Sequence, residues 1–374
     1  MPLSSSVLGL TCFKCGAAHD HNRLATVCDT CGMPLRVDLH LPSAPPEEVI
    51  RSDVASLWRY ERVLPVGMEH AVTLSEGWTP VFQVEDRVWV KDEAQNPTGS
   101  FKARGMTMAV SAAIALGAQR LVAPSAGNAA GALSAYGARA GVPVVVAMPD
   151  DTPHHFINEC RHYGAEVHLV PGTIADAGKF LAANRGPDDF DVSTLKEPYR
   201  VEGKKTMGYE LFEQFAGRLP DVVVYPTGGG TGLVGMWKAF DEMERMGWID
   251  ARRPRLVSVQ TAGCAPVVRG YEQGDEMTEP WINAHTTAWG LRVPSPIGGF
   301  ICLRAIRETG GTAMAIEEEE LHEQTGRLAA ASGIDICPEG GAVWAAYLRL
   351  AESGWIGSDE TVVVFNTGTG LKYR

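Results

Sequence analysis

Basic residues are in deficit: 33 Lys and Arg stand against 45 Asp and Glu, for a net charge of −12. An acidic chain gains little counterion-release energy from DNA or RNA, so no nucleic-acid partner is expected. No apolar run approaches the ~18 residues of a membrane helix, so no membrane association is expected. The N-terminus lacks a basic segment leading into an apolar stretch of signal-peptide length, which points to a cytoplasmic location. Low-complexity tracts and short-period repeats are also missing. With 374 residues, 45% of them hydrophobic and 21% charged, the composition is that of a globular chain long enough for more than one domain. No Gly-Lys-Ser/Thr sequence is present, which argues against a P-loop kinase.

The eight cysteines fall into two sets. Cys160, Cys264, Cys302 and Cys337 are scattered and read as small buried hydrophobes in a reducing compartment. Cys12, Cys15, Cys28 and Cys31 form two C-x2-C-G knuckles, each with a glycine that permits the tight turn. Four thiolates in tetrahedral geometry select zinc over harder metals, and a closed site of this kind predicts a structural role. Disulfides, a knuckle without metal and a rubredoxin-type iron centre are the competing readings. His19 and His21 lie close by in sequence, but four cysteines already fill a site, so both are expected at the surface.

Residues 41–48 contain three prolines and read as a linker, which sets the first boundary at 1–45. Beyond it, short β-branched runs alternate with amphipathic or Ala-rich stretches. Strands are predicted at 87–91, 120–123, 142–148, 166–170, 221–225, 255–259 and 361–365. Helices are predicted at 101–117, 128–141, 152–163, 232–246, 317–331 and 340–353. Continuous apolar strands separated by helices imply parallel sheets covered on both faces. The fold class expected is α/β, with two three-layer domains behind an N-terminal zinc knuckle. Residues 46–374 are expected to form the main region, with a large domain at 46–105 and 210–374 and a small one at 106–209.

Four segments carry chemistry. In the first, Asn96-Pro97-Thr98-Gly99 turns the chain, Ser100 is placed to cap a helix, and Lys102 falls in its first turn. A cation at that end opposes the helix dipole, which favours a neutral amine; alone, the position also fits an exposed helix lysine. The second runs from a strand through Gly228, Gly229, Gly230, Thr231 and Gly232 into a helix, where backbone amides can close on a phosphate. Residues 230–235 also satisfy G-x-G-x-x-G, but the next strand ends at Gln260 rather than at a ribose-binding acid. The third, Ser125-Ala126-Gly127-Asn128, opens a helix and can present amides to a carboxylate, with Asn128 as a candidate cap. The fourth is the C-terminal strand and loop around Thr367 and Thr369.

Asn96-Pro-Thr-Gly-Ser-Phe-Lys-Ala-Arg-Gly105 closely resembles the cofactor-lysine segment of fold-type II pyridoxal-phosphate (PLP) enzymes, and within them the threonine synthase-like group. Thr73-Leu-Ser-Glu-Gly-Trp-Thr-Pro80 resembles a loop of the same group, and the resemblance extends over nearly the whole chain, knuckles included. It implies that Lys102 holds PLP covalently, with Phe101 beside it. It places the cofactor phosphate on residues 228–232, the ring oxygen on Asn128 and the pyridine nitrogen on Thr367, with Thr369 as a weaker alternative. A neutral hydroxyl at that nitrogen leaves the ring less charged than a carboxylate would. The resemblance further implies a lyase acting on an amino-acid substrate, as a homodimer, with O-phosphohomoserine the expected substrate and Ser125, Ala126, Gly127 and Arg200 its contacts.

The chain departs from the group at several positions. The usual Ser-Thr-Gly-Asn-Thr-Ser is Ser125-Ala-Gly-Asn-Ala-Ala130 here, which removes hydroxyls that could meet a substrate phosphate. Ala103 stands where aspartate is usual, and Thr194 and Leu195 replace a polar pair upstream of Arg200. Two further readings therefore stand beside the first. One is β-elimination or β-replacement on another amino acid; the other is a ligand-binding regulatory protein without catalysis.

Overall fold

The computed structural model describes residues 3–374 and divides into two compact units. The first comprises 3–77, 96–98 and 102–204; the second comprises 78–95, 99–101 and 205–374.

The first unit holds a four-stranded parallel sheet in the order 166–170, 144–149, 120–124, 189–191. Its central strand, Val144–Pro149, is buried along its whole length, so it shows continuous apolar character instead of alternation. The helices Lys102–Ala115 and Asn128–Ala140 contribute Met106, Val110, Ala132, Leu133 and Tyr136 to its core. The cysteine segment forms a small antiparallel sheet in which Val7–Cys12 lies between Ala18–His19 and Leu35–Leu39. This ribbon is not a separate domain. Its Leu10, Cys12, Cys28, Leu35 and Val37 share one core with Leu57, Trp58, Met108, Ala112 and Tyr199. That shared core places residues 46–77 with the ribbon, where the sequence reading had assigned them to the large domain.

The second unit is built on a six-stranded sheet in the order 312–316, 255–261, 222–226, 362–366, 88–92, 81–85. All neighbours are parallel except the last pair, where Val81–Glu85 runs antiparallel along the edge. Valines at 90, 222, 224, 257, 259, 362 and 364 line its core, packed against Pro338–Glu352.

The seven anticipated strands and six anticipated helices all form, with ends displaced by up to about two residues. Not anticipated were the strands Val81–Glu85, Asp189–Asp191 and Thr312–Ile316, and the helices Ile174–Ala183, Tyr199–Gln214, Pro266–Glu272 and Gly299–Glu308. Tyr199–Gln214 escaped notice because glycines interrupt its pattern. An added Cβ on Gly203 would lie 1.8 Å from the Arg104 carbonyl, so the glycine allows close helix contact. The proposed linker is not wholly irregular either. Pro46–Val49 makes one helical turn, which tolerates proline at its first position. Cys160, Cys264, Cys302 and Cys337 are buried and form no disulfide, as expected. Among the described residues no helix is long and apolar enough to cross a membrane.

Candidate active site and cysteine cluster

In the second unit, Val222–Pro226 leads through Thr227 and three glycines into the helix Thr231–Arg245. The helix N-cap is Gly230, with φ +87°, and no side chain caps this end. Each of three glycines has a neighbour that excludes a side chain. A Cβ on Gly228 would lie 2.1 Å from the Gly290 carbonyl oxygen; on Gly230, 2.3 Å from Cys302 Sγ; on Gly232, 2.0 Å from the Tyr225 hydroxyl. The loop is thus pressed from behind while its helix end stays open, the arrangement that suits a phosphate. Gln260 cannot serve a ribose. Its amide donates to the Thr227 carbonyl at 2.9 Å and its oxygen accepts from the Val267 and Val268 amides.

Replacing Gly228 by alanine sets a methyl against backbone, which cannot swing aside. Overpacking of this kind costs about 1–3 kcal/mol. The expected result is an approximately tenfold or greater loss of PLP affinity, measured by fluorescence titration; unchanged affinity would show that the loop does not hold the phosphate.

The Thr367 segment abuts the same strands. Its carbonyl accepts from the Phe101 amide at 3.0 Å, and Ser100 bridges Gly368. The Phe101 ring meets Tyr225 edge-on at 6.0 Å. Thr369, the alternative to Thr367, has its hydroxyl engaged with Asp335 and the Leu371 amide. Ser100 does not cap the following helix as anticipated: its buried hydroxyl has no partner among the described residues. Thr98 has φ +61°, rare for a β-branched residue, and Gly99 follows at φ +64°. Backbone strain of this sort gathers at functional sites. The chain passes from the second unit into the first between Phe101 and Lys102.

In the first unit, Lys102 is half-buried and opens the helix Lys102–Ala115. Asn128 likewise opens its helix, but it is not the cap. Gly127 holds that position without a side-chain bond. The Ser125 amide is committed to the Ala147 carbonyl at 3.0 Å, so only the amides that follow it remain for a ligand. A residue the sequence did not flag, Glu76, organises the loop before the lysine segment. Its carboxylate accepts from Trp58 Nε1 at 2.8 Å, the Thr73 hydroxyl at 3.0 Å, the Leu74 amide at 2.9 Å and the Tyr136 hydroxyl.

Arg200 is buried in the first turn of Tyr199–Gln214. Its Nη1 donates to the Val192 carbonyl at 3.0 Å, and its Nε has no partner among the described residues. Glu197 accepts from the Tyr199 and Arg200 amides, and burial pushes its carboxyl up to about 7 although Arg200 draws it down. Leu195 sits at φ +56°, a conformation better suited to asparagine or glycine.

The four knuckle cysteines bring their sulfurs within 4.8 Å of one another. The Lys14 and Cys15 amides point at Cys12 Sγ, and the Thr30 amide points at Cys28 Sγ at 3.4 Å. Four converging sulfurs with amide support fit a thiolate-bound metal. His19 corrects the sequence reading. Its side chain is 6% exposed, with Nε2 3.3 Å from Cys28 Sγ and Nδ1 3.5 Å from Asp29.

Residues 72–368 match the family described as pyridoxal-phosphate dependent enzyme. The chain is 34% identical over 373 residues to the threonine synthase of Methanosarcina acetivorans, covering 97% of this chain and 92% of that protein. It is 33% identical to the threonine synthase of Methanocaldococcus jannaschii, over 96% and 92% of the two chains. Among solved structures, maize serine racemase superposes with a TM-score of 0.65 at 19% identity, over 78% of this chain and 88% of that one. A T.th. threonine deaminase does so with a TM-score of 0.63 at 26% identity, over 75% and 87%.

Proposed function

Because the chain belongs to the pyridoxal-phosphate dependent enzyme family, we propose that it is a threonine synthase, converting O-phosphohomoserine and water to threonine and phosphate. One observation carries the reading: the match to proteins of that name runs over 97% of the chain, so it includes the cysteine ribbon as well as the catalytic region.

PLP, when bound, supplies an electron sink for charge at the substrate α-carbon. The glycine cradle, its open helix end and the unpartnered Ser100 hydroxyl fit such a ligand. In this reading Gly228, Gly229, Gly230, Thr231 and Gly232 hold the phosphate, Phe101 lies along the ring, Asn128 meets the ring oxygen and Thr367 meets the nitrogen. Lys102 anchors the group and, once released by substrate, moves protons at the α- and β-carbons. Ala126 and Gly127 offer amides to the substrate carboxylate, and Ser125 its hydroxyl. Arg200, with Nε uncommitted, takes the substrate phosphate. Cys12, Cys15, Cys28 and Cys31 hold a structural zinc.

A β-elimination or β-replacement reading is favoured by one observation. Glu197 already partners the Arg200 turn, and alanines occupy 126, 129 and 130, which leaves fewer donors for a dianion. Steady-state assays separate the two. Phosphate release from O-phosphohomoserine should proceed with kcat/KM at least about 100-fold above that for deamination of serine or threonine. Arg200→Met should raise KM for the phosphorylated substrate roughly 10- to 100-fold, the worth of a charge-assisted contact. Preference for serine, with no phosphate released, would overturn the reading.

A further inference from the structure

Behind the glycine cradle, within the second unit, lies a carboxylate that no catalytic step requires. Glu339 is buried at the start of the helix Pro338–Glu352. Its Oε1 accepts the Gly290 amide at 2.7 Å and the Tyr373 hydroxyl at 2.8 Å. Gly290 belongs to the turn Trp289–Leu291, and its carbonyl is the oxygen pressed against Gly228. A Cβ on Gly290 would stand 2.7 Å from Glu339 Oε1, so turn and carboxylate are in direct contact.

The same carboxylate reaches a second part of the site. Burial together with Glu339 keeps the Cys337 thiol protonated, and Cys337 in turn receives the Gly368 amide. Gly368 follows Thr367. Tyr373 ties in the C-terminal turn Gly370–Tyr373. Segments 289–291 and 370–373 thus meet on the Glu339 side chain, and 367–368 is reached through Cys337. Two of them adjoin residues assigned to the cofactor.

We infer that Glu339 is a positioning residue for the cofactor seat, setting the height of the Gly290 turn behind Gly228 and, through Cys337, the placement of the Thr367–Gly368 loop. The inference rests on the reading of residues 228–232 and 367 as PLP contacts. A buried carboxylate is costly unless its lone pairs are satisfied, and here the satisfying donors belong to the segments that frame the seat. Its function depends on reach more than on charge: the Gly290 amide and the Tyr373 hydroxyl need an oxygen at that place.

Reach and charge can be separated. Glu339→Gln keeps an acceptor oxygen at the same distance; Glu339→Asp keeps the charge but withdraws it by one methylene. PLP dissociation constants should weaken less than about fivefold for Glu339→Gln and about 10- to 100-fold for Glu339→Asp and Glu339→Ala. The melting temperature with PLP minus that without should shrink in the same order, whereas a merely structural residue lowers both temperatures together. Wild-type affinity in Glu339→Asp, or equal loss in the Gln and Asp variants, would overturn the inference. If Glu339→Ala does not fold, the Gln–Asp comparison decides alone. Failure of the wild-type chain to bind PLP would instead sink the cofactor assignment on which it rests.

Discussion

Lys102→Ala is expected to abolish turnover and the visible absorbance of lysine-bound PLP while leaving the chain folded. The two effects have different sources. The covalent link should be lost because the residues that follow in the helix Lys102–Ala115, Ala103 and Arg104, carry no primary amine. Proton transfer at the substrate carbons is lost with it, and a positioned acid–base group contributes up to about 10⁴-fold. Folding is spared because alanine is an excellent helix former and Lys102 is only half-buried. The neighbouring turn, with Thr98 and Gly99 in left-handed conformations, is untouched. Activity, absorbance and melting temperature measured on one preparation make the check. A variant turning over O-phosphohomoserine within tenfold of wild type would remove Lys102 from its assigned role.

Stripping the proposed metal from the cysteine cluster is expected to give the second large effect. Structural zinc sites in small domains contribute apparent free energies of ~10–16 kcal/mol, comparable with the whole stability of a domain. The ribbon buries Leu10, Leu35 and Val37 in one core with Met108 and Ala112. The last two lie one turn apart on the helix that Lys102 opens. Loss of the proposed metal should therefore reach past the knuckles to the flank of that helix. If only ~4 kcal/mol is transmitted, melting falls by roughly 10 °C, at the few degrees per kcal/mol typical of units this size. Cys12→Ser, or treatment with a strong chelator, should give that shift together with faster hydrogen exchange across 102–115. Protein purified with zinc available that contains none, and melts unchanged after chelation, would refute the assignment.

What could be read from the sequence was whatever is local. The knuckles, the Asn96–Gly105 turn and the 228–232 loop are short runs whose residue types follow from backbone needs, and the structure forms each where it was anticipated. Valine-rich strands such as 222–226 were legible because burial on both faces demands unbroken apolar character. What escaped was long-range. Glu76 meets Trp58 and Tyr136, and Glu339 meets Gly290 and Tyr373; nothing in the sequence near either glutamate announces a partner 18 to 60 positions away. Tyr225 had a signal that could have been used: an aromatic residue just ahead of a glycine loop needs room for its ring, and Gly232 provides it. The strand Thr312–Ile316 was missed because a five-residue edge strand, half-buried, carries little pattern. His19 was misjudged by counting ligands, a rule that overlooks a histidine bonded to one of the cysteines.

The order of strands in the larger sheet has a consequence for biosynthesis. Val362–Asn366, made after both of its neighbours, lies between Val222–Pro226 and Val88–Asp92. While the ribosome still shelters those residues, the nascent chain holds two half-sheets with raw inner edges and no central member to join them. Closure must await emergence of that strand, and a chain interrupted before residue 362 would keep an open, aggregation-prone sheet.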